Sequence, residues 1–191
     1  MPRWNPDARG RLERAAIELF AQQGFSETTV PQIAERAGMT TRTFFRHFAD
    51  KREVLFAGEG ELVASCAELI ATAPLELSVM ATLEHALKAV ADLVFEPRRE
   101  QMRGWREIVS SEPALQERGL SKQRLVVAAT VTALAGRGVD APTAELAAGI
   151  AFVAFESAVA EWVGDMTAAW PLSKHLEDWF ARMHAVAAGD E

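Results

Sequence analysis

The sequence predicts an all-α chain in two parts, residues 1–50 and 51–191, and three observations point to it. Apolar residues recur every three or four positions in segment after segment, the spacing that lines up one face of an α-helix. Glycine or proline stands at most of the joints between these segments, at Gly24, Gly38, Pro74, Pro97, Pro113, Gly138 and Pro171. No stretch alternates apolar and polar residues as a half-buried strand does, so sheet-based folds drop out. With 191 residues, 49% of them hydrophobic, the chain has ample material for a helical core.

Taken in order, Asn5 and Pro6 read as the start of the first helix, with Pro6 at the first helical position, where its missing N–H costs nothing. Leu12, Ala16, Leu19 and Phe20 fall on one face, Gly24 stops the helix, and Phe25 folds back onto it. Thr29 followed by Gln32 forms a capping box for a second helix, Val30 to Ala37, whose Ile33, Ala34 and Ala37 face inward. Gly38 supplies a sharp turn, Met39 points back to the core, and Thr40 is placed to cap a third helix from Thr41 to His47. Phe44 and Phe48 lie four apart on the inner side. Asp50 and Glu53 form another capping box, for a fourth helix running from Lys51 to about Ala71 and linking the two parts. Gly58 and Gly60 within it each cost about 1 kcal/mol relative to alanine. They mark a bend, or they sit at exposed positions that tolerate them.

The second and third helices have the layout of a helix-turn-helix. On the third, Thr41, Arg42, Thr43, Phe45, Arg46 and His47 share the exposed arc. Hydroxyls, two guanidinium groups, an imidazole and an aromatic ring suit base edges and phosphates. Thr29 and Thr40 at the helix starts complete the candidate DNA contacts, together with Lys51 in the first turn of the expected fourth helix. A short helix–glycine–helix is equally a plain hairpin on a solvated surface, and the neighbouring residues decide between the two.

The run ARGRLERAAIELFAQQGFSETTVPQIAERAGMTTRTFFRHFADKREVLF closely resembles the N-terminal domain of the TetR family of bacterial transcriptional repressors, over Ala8 to Phe56. Its elements stand in family order: ELF…GF, TTV, IAERAG, TFFRHF, then DK. The resemblance implies a homodimeric, ligand-responsive repressor bound to a palindromic operator. It covers the DNA-binding head and says nothing about the ligand.

After Pro74 the stripes continue. Val79, Leu83, Leu87, Val90 and Val94 form one, ending before Pro97, and Met102, Trp105, Ile108 and Val109 form the next. Leu125, Ala128, Val131 or Thr132, and Leu134 or Ala135 form a third, closed by Gly136 and Gly138. From Pro142 to Val163 the chain is apolar nearly all round, which means burial on more than one side. Ala147, Ala151, Ala154 and Ala158 make a small-residue stripe there, while Ile150, Val153, Phe155 and Trp162 occupy other faces. Pro171 opens a last helix carrying Leu172, Leu176, Trp179, Phe180 and Met183. In the family that the chain resembles, the last two long helices of each subunit form a four-helix dimer interface. Ala151, Ala154, Ala158 and Trp162, with the five residues of the last helix, are therefore assigned to it.

Charge divides unevenly. Nine Lys or Arg stand against six Asp or Glu up to Arg52, giving +3, while the remainder carries −10, for a total of −7. A basic head on an acidic body favours docking on duplex DNA in one orientation. Cys66 is the only cysteine, so neither an internal disulfide nor a cysteine-based zinc site is expected. The four histidines are scattered, and no nucleophile elbow, phosphate loop or His-Glu-x-x-His pair occurs. No catalysis, metal or cofactor is therefore expected. The start of the chain lacks an apolar signal region and no apolar run reaches membrane length, so the expectation is a cytoplasmic protein without membrane contact. Phe95, Met102, Trp105, Phe155, Glu156 and Trp162 are candidate lining for a small apolar or amphipathic effector, the carboxylate beside indole rings being one way to hold a cation. The alternative is a DNA-binding co-regulator or activator with no effector at all, those residues being plain core.

Overall fold

The computed structural model describes residues 8–167 and 169–189, the side chain of Glu59 excepted. Asn5 and Pro6 lie outside the described residues. All nine α-helices among them are joined by turns or short helical segments, with no strand: α1 Ala8–Gln23, α2 Val30–Arg36, α3 Thr41–His47, α4 Glu59–Thr72, α5 Val79–Val90, α6 Arg99–Ser111, α7 Pro113–Gly136, α8 Ala141–Gly164 and α9 Leu172–Ala188. The chain divides into two compact units. The head holds everything up to Glu59 and also Gly104–Gly119, while the body holds Gly60–Arg103 and the chain from Leu120 onward. The division thus falls after Glu59 rather than after Asp50, and it draws part of the later chain into the head.

The fourth helix differs from expectation. Residues 51 and 52 form a turn, Glu53–Phe56 is a single 3-10 turn, and the α-helix begins only at Glu59. Val54, Leu55 and Phe56 are all buried in the head core. A 3-10 turn spaces consecutive side chains about 120° apart, so burial of all three means that the head core surrounds this turn on every side. Asp50 accepts from the backbone N–H groups of Arg52 and Glu53, at 2.8 and 3.1 Å. The Glu53 carboxylate does not return to Asp50 and instead meets the Arg118 guanidinium.

In the body, α5, α8 and α9 pack together around one core. Asp140 caps α8 by accepting from the backbone N–H of Thr143, and Pro142 lies in its first turn. The alanine stripe at 144, 147, 151, 154 and 158 is buried in this core. Small side chains there let helix backbones approach closely, and Trp162, with no exposed surface, fills the space beyond them. The C-terminal carbonyls of α8 are met by arginines: Arg99 donates to Trp162 O and to Asp165 O (2.8 Å), and Arg103 Nε donates to Val163 O at 2.9 Å. At the start of α9 the N–H of Leu172 is accepted by the Glu96 carboxylate at 3.0 Å, a substitute for the missing side-chain cap.

Two expectations are corrected here. Ala151, Ala154, Ala158, Trp162, Leu172, Leu176 and Phe180, assigned above to a dimer interface, are all buried inside this one chain, and Trp179 and Met183 are partly buried against the same core. A helix that is apolar all round gives no phase by which to separate its inner face from its outer one. The uncovered apolar stripe of α8 is instead Leu146, Ile150 and Val153, spaced by four and three residues, with Leu146 66% and Val153 59% exposed. Contrary to the second expectation, α8 is long and apolar enough, by length and composition, to cross a membrane. Its burial against α5 and α9 is that of a core helix.

Replacing Trp162 with alanine removes the largest fully buried side chain and should lower stability by about 3–5 kcal/mol. Urea denaturation followed by far-ultraviolet circular dichroism measures it, and a loss below about 1 kcal/mol would contradict this packing.

Candidate nucleic-acid interface

The helix-turn-helix is assembled by local chemistry. The Thr29 hydroxyl accepts from the Gln32 N–H while the Gln32 side chain accepts from the Thr29 N–H at 2.8 Å, a closed capping box. Gly38 has φ +67°, and the Met39 N–H returns to Ala34 O at 2.8 Å, ending α2 in a left-handed turn. A Cβ added at Gly38 would come within 3.0 Å of the Arg11 guanidinium, which donates to the Ala37 carbonyl in the same turn. The Thr40 hydroxyl accepts from the Thr43 N–H at 3.2 Å and lies 3.1 Å from the Thr43 hydroxyl, so both threonines are engaged in starting α3. Phe44 is fully buried and Phe48 nearly so, their ring centroids 5.4 Å apart.

This leaves Thr41, Arg42, Phe45 and Arg46 exposed on one face of α3, with Thr43 and His47 half-buried beside them. The Nε2 atom of His47 is buried without a hydrogen-bond partner. Arg42 and Arg46 differ from the other cations of the head. Arg9 donates to Ala57 O and pairs with Glu13, Arg11 meets Ala37 O, Arg36 bonds Glu18 and Gln22, and Arg52 bonds Asp50. Arg118 meets Glu53, and Arg14 and Arg106 also have partners. Among the described lysines and arginines of the head, only the two guanidinium groups on α3 have none.

Lys51 takes a place that the sequence does not disclose. Its Nζ donates to the carbonyls of Phe25 (2.7 Å), Ser26 (3.2 Å) and Thr28 (2.9 Å) and lies 4.3 Å from the Phe25 ring centroid. An ammonium has three protons, and all three are directed at the loop that follows α1. No α-helix begins at Lys51, so the expected phosphate site in a first helical turn is replaced by an internal brace. The carboxyl of Asp50 next to it is held below the usual carboxylate range, chiefly by the hydrogen bond from Arg52.

The expected effector residues do not assemble. Trp105 belongs to the head, where its Nε1 donates to Leu55 O at 2.7 Å and its ring meets Phe56 edge-on. In the body, Phe95 and Phe155 stack edge-to-face with centroids 5.2 Å apart, and Met102 packs on the same filled core as Trp162. Glu156 is exposed. An open groove of about 650 Å³ lies elsewhere, along α4 and α7, lined by Ala67, Ala71, Ala129 and Ala133 with Glu68 and Arg137. Arg137 itself donates to Ile70, Ala73 and Pro74 carbonyls at 2.7 to 3.1 Å, closing the end of α4. No cluster of three or more metal-ligating side chains occurs among the described residues.

Comparison with known proteins accords with this geometry. The family described as bacterial regulatory proteins, tetR family, matches residues 13–57. The regulator TtgW of Pseudomonas putida is 32% identical over 122 residues, 64% of this chain and 86% of that protein. The chain belongs to the TetR family. TcmR of Streptomyces glaucescens is 59% identical over 46 residues, which is 24% of this chain and 20% of TcmR, so that likeness spans about one fifth of the relative. Among solved structures, FadR of Bacillus subtilis in complex with stearoyl-CoA superposes with a TM-score of 0.63 at 17% identity, covering 90% of this chain and 95% of FadR. At that identity the likeness is one of fold.

Replacing Lys51 with methionine removes a donor shared by three carbonyls of the 25–28 loop, of which only Phe25 O keeps another, the Thr28 N–H, and should lower the stability of the full chain by about 2 kcal/mol. Chemical denaturation measures this directly. A variant as stable as the parent but weak on all DNA would return Lys51 to a phosphate-binding role.

Proposed function

We propose that this regulator is a sequence-specific repressor that binds a two-fold symmetric operator as a homodimer and is released by a small apolar or amphipathic molecule. The observation that carries the DNA reading is the pair of unpartnered guanidinium groups on α3, in a head whose other described cations are engaged. A solvated helix face has no need to keep its arginines free while neighbouring ones are tied down, whereas bidentate contacts to guanine edges and phosphate oxygens require it. Thr41, Arg42, Phe45 and Arg46 are the proposed base-reading face. Thr29, Thr40, Thr43 and His47 are proposed backbone contacts beside it, and Lys51 holds the scaffold. Action on DNA also places the protein in the bacterial cytoplasm in this reading.

Two heads reading related half-sites require a dyad. The exposed stripe Leu146, Ile150 and Val153 supports α8 as the helix on that axis, since it is apolar surface left bare by the chain's own core. For the effector, the alanine-lined groove along α4 and α7 is the open apolar space of the body. A long-chain amphipathic molecule, of the class held by the FadR complex, fits a groove with small walls and a polar end. A ligand acts only through its differential affinity for the two states, so hundredfold release requires about 3 kcal/mol of coupling, and operator DNA must weaken ligand binding by the same factor. Equal ligand affinity with and without operator would leave a regulator without an effector.

Removing the Arg42 side chain should weaken operator binding by roughly 1–3 kcal/mol and relax base preference at one position of each half-site. Gel-shift titration on operator and scrambled duplexes checks it, and equal losses on both would contradict base reading. Val153→Glu, on the exposed stripe, should yield a folded monomer in sedimentation, with the helical signal retained and tight operator binding lost. A dimer that persists in this variant would move the dyad away from α8.

A further inference from the structure

Phe45 is the one residue on the proposed reading face that can neither donate nor accept a hydrogen bond. It is 58% exposed, and its neighbours on the helix surface are Thr41, four residues before it, and Arg42, three before it. Its ring is not loose. It stands edge-to-face on Phe44, with centroids 5.5 Å apart at 84°, and Phe44 is fully buried. The head therefore projects a fixed phenyl group between polar readers, at a net cost in exposed apolar surface.

A phenyl ring gains nothing from phosphate oxygens or from the polar edges of guanine, adenine and cytosine. The one apolar group on the major-groove floor of duplex DNA is the C5-methyl of thymine. We infer that Phe45 is a specificity-determining residue that reads a thymine methyl in each operator half-site, beside the base contacted by Arg42. This rests on the DNA-binding reading above and adds to it the group that the aromatic side chain recognises. Hydrogen bonds from Arg42 cannot separate a thymine from a base that merely lacks its methyl, and the phenyl ring presents a larger apolar surface to that methyl than the single methyl of Thr41.

The test isolates the methyl. Operator duplex is first selected from a random double-stranded library with the full-length wild-type protein, and each thymine is then replaced singly by uracil, which differs only in lacking the methyl group. Loss of one buried methyl should weaken wild-type binding about fourfold at one thymine per half-site and leave other thymines unaffected. Phe45→Ala should bind the selected operator more weakly and show no difference between thymine and uracil at that position, while Phe45→Leu, still apolar, keeps part of the difference. In an operator with cytosine placed there, 5-methylcytosine should recover part of the lost affinity for wild type and none for Phe45→Ala. Indifference of the wild type to every uracil, or a uracil effect that persists in Phe45→Ala, overturns the inference while leaving operator binding intact. A selection that enriches no sequence overturns the operator reading itself, and this inference with it. Chemical denaturation of both variants, with midpoints close to the parent's as expected for an exposed side chain, establishes that the head is still folded.

Discussion

The last carbonyl groups of an α-helix have no partner within it, and carry the negative end of its dipole. This chain satisfies many of them, and the carbonyls of its loops, with cationic side chains from elsewhere in the sequence. Arg11 serves the end of α2, Arg137 the end of α4, Arg99 and Arg103 the end of α8, and Lys51 the loop after α1. Each of these elements is fastened to another by a contact that spans 25 residues or more of sequence, Lys51 reaching Ser26 across 25. The same contacts remove charge from circulation. What remains after structural demand has been met is a small set of cations, and the two arginines of α3 stand out because of that subtraction.

The body rests on a different constraint. Trp162 and the alanines of α8 allow α5 and α9 to close on it, and the result is a core that is filled where an effector site was expected. Phe95 against Phe155 is a packed aromatic pair within that core. The space that remains lies along α4 and α7, where alanines face one another across a gap. Small residues therefore have opposite outcomes in the two places. On α8 a facing helix approaches and the space closes, while along α7 the facing surface stays away and the groove persists.

How much of this was legible follows from the range of each interaction. The capping box at Thr29, the left-handed turn at Gly38 and the cap at Thr40 are settled within four residues, and the sequence disclosed all three. The exposed face of α3 was legible for the same reason, since the inward phase of Phe44 and Phe48 fixes what lies opposite. Lys51 and Trp105 were not legible, because their partners lie 23 to 50 residues away and no local pattern marks a carbonyl waiting for a donor. Helix α8 failed differently. Its spacing was read correctly, but a helix with apolar residues on every side carries no signal for which stripe its own chain will cover, so the buried alanines were taken for the outer surface. Of the two glycines, Gly58 lies at the break before α4 and Gly60 at an exposed position within its first turn, so each of the two readings offered holds for one of them.

The division of the chain bears on how such a head is inherited. It is not a contiguous segment: Trp105 is hydrogen-bonded to Leu55, Ser26 to Glu112, and Ile108 and Leu115 are buried in the head core. A cut after Glu59 would strip those four side chains from its underside and lay bare the apolar surface that they cover. A recombination event that joined this head to a different body would therefore succeed only where the new body supplies an equivalent of residues 104–119. Modularity here belongs to the folded molecule, and the linear order of the chain hides its true seam.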